Sequence, residues 1–434
     1  MPGAPVSLCA AFSLVLLCGA PEVPLVSDAG PAPDGGAPLP PEVLLAGAPA
    51  DAGLEDPYEW KVFPVVAYNS DVGFEFGAFG VINRLAPGLP YHWSLSGQAA
   101  VSVKGGPNGK PELPVHDDNL NLDWRSLDGR WRVRAGLWFW QAANAGFYGV
   151  GNQSPATGAP GATSPRPTQY TRSELVAVGS AAYQVFPGVR VRLGLQGRRV
   201  APVIYPGSTL DLERSEPLLV GLETHVSILG FASVELDTRD RELDPSHGVW
   251  IEASVRGAPG QLTGNDFSFG AVTGHARVYQ AIWPGRLVVA ARVMVDAAFG
   301  QPPLHELGRG GFTDVWMLGG SDGVQGIPEG RYQGRIRLAM NLELRAHLFP
   351  FGFWGQKFRL GLVGFADAGR VWADWTPRPD LDGTGLGLHP SFGGGLRLRW
   401  GETVLVRFDV AWAPPPASTR DQPFGLYFDL GHIF

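Results

Sequence analysis

From Trp60 onward, large apolar residues recur at every second position with arginine or a carboxylate between them. In RWRVRAGLWFW, Trp131, Val133, Ala135, Leu137 and Phe139 share one face, and Arg132 and Arg134 share the other. RIRLAMNLELR sets Ile336, Leu338, Met340, Leu342 and Leu344 against Arg335, Arg337, Asn341, Glu343 and Arg345. VRVRLGLQGR and VLVRFDVAW repeat the scheme, with Arg190, Arg192, Arg407 and Asp409 on the polar side. A period of two is the period of a strand. Any one of these strands fits a soluble sandwich with a wet outer face. The set does not, because one face stays apolar over nine or more positions while the other is charged and needs a polar interior. An apolar outside around a charged inside is the pattern of a transmembrane β-barrel.

No other element of the chain offers a way across a bilayer. The longest apolar run, Leu8 to Leu17, has the size of a signal-peptide core and is too short to span. We therefore read residues 1–20 as a signal peptide, although no Lys or Arg precedes the run. Cys9 and Cys18 are the only cysteines, and Cys18 is a weak lipid-attachment candidate because Leu17 is large for such a site. Residues 21–59 are rich in Pro, Ala and Gly and read as a disordered linker. Residues 60–434 are the barrel. With 60 Gly, 14 Trp, 23 Phe and 17% charged residues, the composition suits strands and turns. A net charge of −7 gives no footprint for nucleic acid.

The alternation predicts strands near 61–68, 72–84, 91–103, 117–126, 130–141, 169–185, 188–200, 228–238, 248–257, 266–281, 285–299, 335–348, 357–372, 391–400, 403–413 and 424–434. Asp128-Gly129-Arg130, Phe186-Pro187-Gly188, Trp283-Pro284-Gly285 and Gly401-Glu402 read as compact turns. Longer loops fall near 142–168, 201–227, 300–334 and 373–390. Short turns alternating with long loops, and an even strand count, are expected of an outer-membrane barrel with both termini in the periplasm.

Gly319-Gly320-Ser321-Asp322-Gly323 matches the G-x-S-x-G pattern of a hydrolase nucleophile elbow. An elbow needs a helix after the serine, with an acid and a histidine to follow. Here a Gly- and Pro-punctuated loop leads to a strand, and the nine histidines fall at no catalytic or metal-ligand spacing. Ser321 reads as a turn residue. We expect no enzyme, no catalytic residue, no metal site and no cofactor, and we find no Ser-His pair for a barrel phospholipase.

GGSDGVQGIPEGRYQGR, followed by a strand ending NLELR, resembles the inward-folded extracellular loop of the BamA/TamA superfamily of outer-membrane assembly barrels. FYGVGN (Phe147 to Asn152) resembles a segment of short, barrel-only members without polypeptide-transport-associated repeats. DTRDRELDPSHGVWIE (Asp237 to Glu252) is similar to the family's D-x-R-D…P-x-x-G turn, and GFADAGRVW to its F-x-D-x-G strand. GGGLRLRW and YFDLGHIF resemble the closing strands. The family's loop usually reads V-R-G followed by an aromatic, whereas Val324-Gln325-Gly326-Ile327 lacks both the arginine and the aromatic. Residues 21–60 are too few for even one of the family's periplasmic repeats.

The resemblance implies a 16-stranded antiparallel barrel in the bacterial outer membrane with an inward-folded loop. Gly319, Gly320, Val324, Gln325, Gly326, Arg331 and Tyr332 would form the lumen-loop motif, and Phe365, Asp367 and Gly369 the strand that anchors it. In the family the loop arginine pairs with the acid of that strand. We expect Arg331 to take this role toward Asp367, with Tyr332 beside it and Gln325 as a minor contact. Gly425, Phe428, Leu430 and Phe434 resemble a terminal strand signal, interrupted by His432. The implied function is insertion or translocation of unfolded barrel or secreted clients by one barrel in outer-membrane lipid. Pro64 in the first strand fits a weak first-to-last seam. The alternative is a passive anion-leaning channel or a structural barrel, lined by Arg132, Arg134, Arg190, Arg192, Arg335, Arg337, Arg397 and Arg399. Pairing of these arginines with inward Asp409, Glu343, Glu235 and Asp237 would instead fill the lumen.

Overall fold

A computed structural model describes residues 57–86, 89–241, 244–312, 315–353, 356–400, 404–419, 423–430 and 432–434. The proposed signal peptide, nearly all of the proposed linker and the Gly401-Glu402 turn lie outside the described residues. Sixteen strands form the wall: β1 Tyr58–Asn69, β2 Gly73–Ala86, β3 Leu89–Gly105, β4 Val115–Arg125, β5 Trp131–Gly146, β6 Gln169–Phe186, β7 Val189–Val203 and β8 His225–Asp237, then β9 His247–Ala258, β10 Phe269–Trp283, β11 Leu287–Gly300, β12 Ile336–Phe353, β13 Gln356–Trp372, β14 His389–Trp400, β15 Val404–Trp412 and β16 Phe424–Leu430. Each pairs antiparallel with its sequence neighbours, and β1 meets β16 to close the barrel. A two-residue strand at Pro111–Glu112 folds back on β3, and Arg309–Gly310 and Val315–Trp316 pair within the loop after β11. The fold is the all-β, 16-stranded transmembrane barrel that the alternation indicates.

The faces divide as the sequence requires. Leu193 and Leu195 are 63% and 65% exposed on the outer wall, whereas Arg192 between the strands of the lumen is 9% exposed. On β12, Leu342 and Leu344 face out, while Arg337, Asn341, Glu343 and Arg345 are buried inside. Trp60, Trp131, Phe186, Trp283 and Phe353 ring the short-turn end, and Phe74, Phe139, Phe299, Phe392 and Trp412 ring the other. Two aromatic girdles around an apolar band mark the membrane boundaries. Gly129, Gly188 and Gly285 hold the short turns at φ near +70°, a region closed to most side chains.

Much of the charge inside the wall is neutralised in place, with Arg277 and Arg292, side by side on β10 and β11, as exceptions among the described residues. Each of the eight arginines singled out in the sequence has a carboxylate partner: Arg132 and Arg134 share Asp123, and Arg190 and Arg192 share Glu235 at 3.6 and 3.5 Å. Arg335 meets Asp374, Arg337 meets Asp296, Arg397 meets Asp409 and Arg399 meets Asp244. Of the expected acids, Asp409, Glu343 and Glu235 join these pairs, with Glu343 on Arg345 at 2.6 Å. Asp237 instead caps its own turn by accepting from Arg239. At the long-loop end, Phe147, Val150, Tyr170, Leu210 and Leu307 form an apolar core beneath the loops.

Three expected ends move by four residues or more. Strand β5 runs on to Gly146 instead of stopping at 141. The terminal strand stops at Leu430 instead of Phe434, and residues 432–434 turn into the lumen. Strand β12 runs on to Phe353, past a register shift between His347 and Phe349.

Candidate functional site

The loop between β11 and β12 enters the lumen and is fastened to three parts of the wall. On the first, Glu306 accepts from Arg256 Nη2 at 3.0 Å. Arg256 also bonds Asp296 at 2.6 Å, and the loop's own Gly311 N–H donates to the same carboxylate at 3.0 Å. On the second, Glu174 gathers Arg172, Arg198 and the loop's Arg309 at 2.8, 3.1 and 3.2 Å. The Arg309 guanidinium lies beside Trp140 and Trp316. These groups are buried, and removing one partner of such a set costs about 3–5 kcal/mol.

The third attachment is the loop tip. Gly319 and Gly320 turn the chain, and Met317, Leu318, Val324 and Ile327 pack against Met294, Val371 and Ala413. Gly369 leaves room for this contact, because a Cβ there would lie 2.9 Å from both Leu318 and Val324. Gly326 N–H donates to the Tyr427 hydroxyl at 3.0 Å, and a side chain at Gly326 would press on the backbone of residues 411–413. Phe365 packs with Val363, Ala411 and Tyr427 behind the tip.

Arg331 does not meet Asp367. The acid accepts from the main-chain N–H of Gln325 at 3.3 Å, and the Gln325 amide reaches Asp409 at 3.4 Å. Gln325 is fully buried and is the residue at the acid, not a minor contact. Arg331 faces the outer end of the lumen, where it donates to Ser154 Oγ at 2.6 Å and to the Pro416 carbonyl at 3.1 Å. Its guanidinium lies 4.4 Å from the Tyr332 ring and 5.2 Å from Tyr148. Tyr332 stacks on His389 at 3.9 Å. The FYGVGN segment is thus a partner of the loop: Gly151 N–H donates to Gln333 O at 2.7 Å, and Asn152 accepts from Val371 N–H and bonds His389. No local sequence signal joins these two motifs, which meet only across the lumen.

Ser321 sits in the turn of the tip and uses its carbonyl to accept from Gln325 and Arg407. A turn follows it, not a helix. Glu329, farther along the loop, is held protonated up to about 8 by desolvation and by Asp71. Arg309, Arg172 and Lys104 face it and oppose that shift, whereas Asp322 adds to it.

The second feature is the seam. Strands β1 and β2 pair over twelve residues, whereas among the described residues β1 and β16 pair only at Tyr68–Phe428 and Asn69–Tyr427, beside a Ser70 N–H bond to Leu426 O. Gly425 makes room for the inward ring of Tyr427, Phe428 lies across from Phe408 of β15, and Leu430 ends the strand opposite Val406. In an antiparallel ladder, a residue's N–H and C=O point to the same neighbour and alternate along the strand. Ser70 points to β16 and Pro57 to β2, so even-numbered β1 residues face the seam. Pro64 therefore withholds its missing donor from β16.

Residues 222–434 match the Omp85 superfamily domain. Over that stretch the chain is similar to the Omp85 superfamily domain. Among solved structures, BamA from Haemophilus ducreyi lacking POTRA domains 1-3 aligns with a TM-score of 0.53 at 15% identity, covering 86% of this chain and 70% of that one. CdiB from Escherichia coli aligns with a TM-score of 0.54 at 11% identity, covering 86% of this chain and 63% of that one. No curated protein matches the sequence. The Omp85 match holds the plug loop, the Asp367 strand and β16 together, and it places the barrel in the bacterial outer membrane.

Proposed function

We propose that this barrel inserts or translocates unfolded polypeptide clients at the β1–β16 seam, acting as one barrel with outer-membrane lipid as its solvent. The seam carries the reading. From Glu59 to Ala67, β1 has no β16 ladder partner among the described residues, and an open strand edge is costly in lipid. A client strand would satisfy that edge, so the same edge lowers the cost of bringing a new strand into the membrane. The eight arginines of the channel reading are paired with carboxylates and a loop is fixed in the lumen, which disfavours a passive anion channel.

Tyr68 and Phe428 are ladder partners. Such Cα atoms stand about 5.5 Å apart, within disulfide reach. The Tyr68→Cys/Phe428→Cys protein, oxidised in liposomes, should lose the ability to speed folding of an unfolded barrel client and regain it on reduction. Full activity in the oxidised form would sink the seam reading.

A further inference from the structure

Residues 424–430 of β16 pair with β15, and on the side of β1 the strand end and the tail beyond it are held by groups inside the barrel. The Tyr427 hydroxyl accepts the Gly326 N–H at the plug tip. Arg407 of β15 donates to Asp322 of the tip at 2.8 Å and to Asp429 of β16 at 3.0 Å. Arg292 of β11 donates to the carbonyl of Asp322 and, at 3.2 Å, to that of Ile433. Two guanidiniums thus each hold one group of the tip and one of the strand end. Arg345 adds a bond to the Phe434 oxygen at 2.9 Å, and the Phe434 ring lies 5.2 Å from both the Arg292 and Arg345 guanidiniums. His432 bonds Asp244 in the β8–β9 turn at 3.2 Å.

Arg292 has a particular need of these acceptors. It stands directly across the ladder from Arg277, and like charges so placed repel. Among the described residues no ion pair joins either arginine to a carboxylate. Arg292 is buried, and its acceptors are the Asn341 side chain and the two carbonyls from tip and tail. Losing one carbonyl leaves a buried cation poorly satisfied, so tip and tail stabilise each other through it. The β1 edge cannot substitute. Continuing the seam register would bring His432 opposite Pro64, where no donor faces β16.

We propose that the plug tip is the latch of the seam strand. Arg292, Arg407 and Tyr427 are positioning residues that keep the end of β16 folded into the lumen while the tip is in place, and withdrawal of the tip releases it. Coupling of this kind is reciprocal, so freeing the strand end also loosens the tip. The inference rests on the seam reading for its biological role, but the latch is measurable without a client.

Hydrogen exchange followed by mass spectrometry on the full chain in lipid nanodiscs tests it. Tyr427→Phe removes the acceptor for Gly326, and Asp322→Asn removes the charge that Arg407 shares. In the double variant, exchange should rise at least tenfold in both 321–326 and 425–434, with 389–400 of β14 unchanged. Asp322→Asn alone, at a half-exposed side chain, should raise both segments about threefold, and it carries the test if the double variant does not fold. A rise in only one segment, in neither, or equally throughout the wall overturns the latch. Coupled exchange in a barrel that inserts no client keeps the latch and removes the function proposed above.

Discussion

Asp367 shows why a side-chain alphabet reads a lumen incompletely. The family pattern calls for an arginine at this acid, and the donor proves to be a backbone N–H, which no residue letter reports. Arg331 was the best guanidinium in the loop but serves Ser154, Pro416 and two tyrosine rings at the other end of the lumen. Among the described residues the two share no hydrogen-bond partner, so their effects should be independent. Arg331→Ala should lower stability by about 2–4 kcal/mol through lost charged hydrogen bonds and ring contacts. Asp367→Asn should cost less, because a neutral oxygen can still accept from Gln325. Denaturant unfolding of the double variant should give the sum of the single effects, and strong coupling between them would contradict the geometry.

Glu329 supplies a pH test at the same scale. Its carboxyl is pushed from the ordinary value of 4.5 up to about 8 by desolvation, with Asp71 adding to the shift. Folding therefore favours the protonated form. The contribution is fully present below pH 4.5 and is lost as pH rises through about 8. Thermal stability should fall across that window, and Glu329→Gln should flatten the slope. The same slope in wild type and variant would assign it to other groups.

At the scale of elements, alternation and turn chemistry made the wall legible. All sixteen strands lie where period two placed them, because lipid-facing positions are apolar and most lumen positions are polar or small. Element ends were harder to read wherever a tertiary contact decided them. His432-Ile433-Phe434 continues an acceptable strand pattern, yet Arg292, Arg345 and Asp244 draw it off the sheet. The pairing of FYGVGN with Gln333 was likewise invisible, since it joins segments far apart in sequence. Pro64 is the element-scale feature that the letters did expose. Pro64→Val gives β1 a donor on its β16 side, worth about 0.5–1.5 kcal/mol if a partner takes it. Amides of residues 62–68 should then exchange more slowly, and client insertion should slow as the seam tightens. Faster exchange would show that the new residue only disturbs β1.

For the whole molecule, the decisive property is a lumen crossed by a loop that is fastened to opposite walls. Glu306 and Gly311 hold it to Arg256 and Asp296, Arg309 holds it to Glu174, and residues 322–326 hold it to Arg407, Asp367, Asp409 and Tyr427. Loss of any one attachment leaves the others, so point changes should leave the lumen closed. Removing the tip should not. Replacing residues 318–327 with a Gly-Ser linker deletes the apolar cluster of Leu318, Val324 and Ile327 along with every tip hydrogen bond. In planar bilayers the intact barrel should show small, flickering currents, and the linker variant should show long, larger openings. Both proteins should still migrate faster unheated than boiled, because the sixteen-strand ladder is untouched. The charged walls also predict the salt response of the opened lumen. Arg407 and Arg292 lose tip acceptors when the loop is cut, so the new pore should favour anions, most clearly at low salt where screening is weak. A steady large pore in the intact protein would mean that the loop leaves the lumen without help, and the plug could then hold neither solute nor strand.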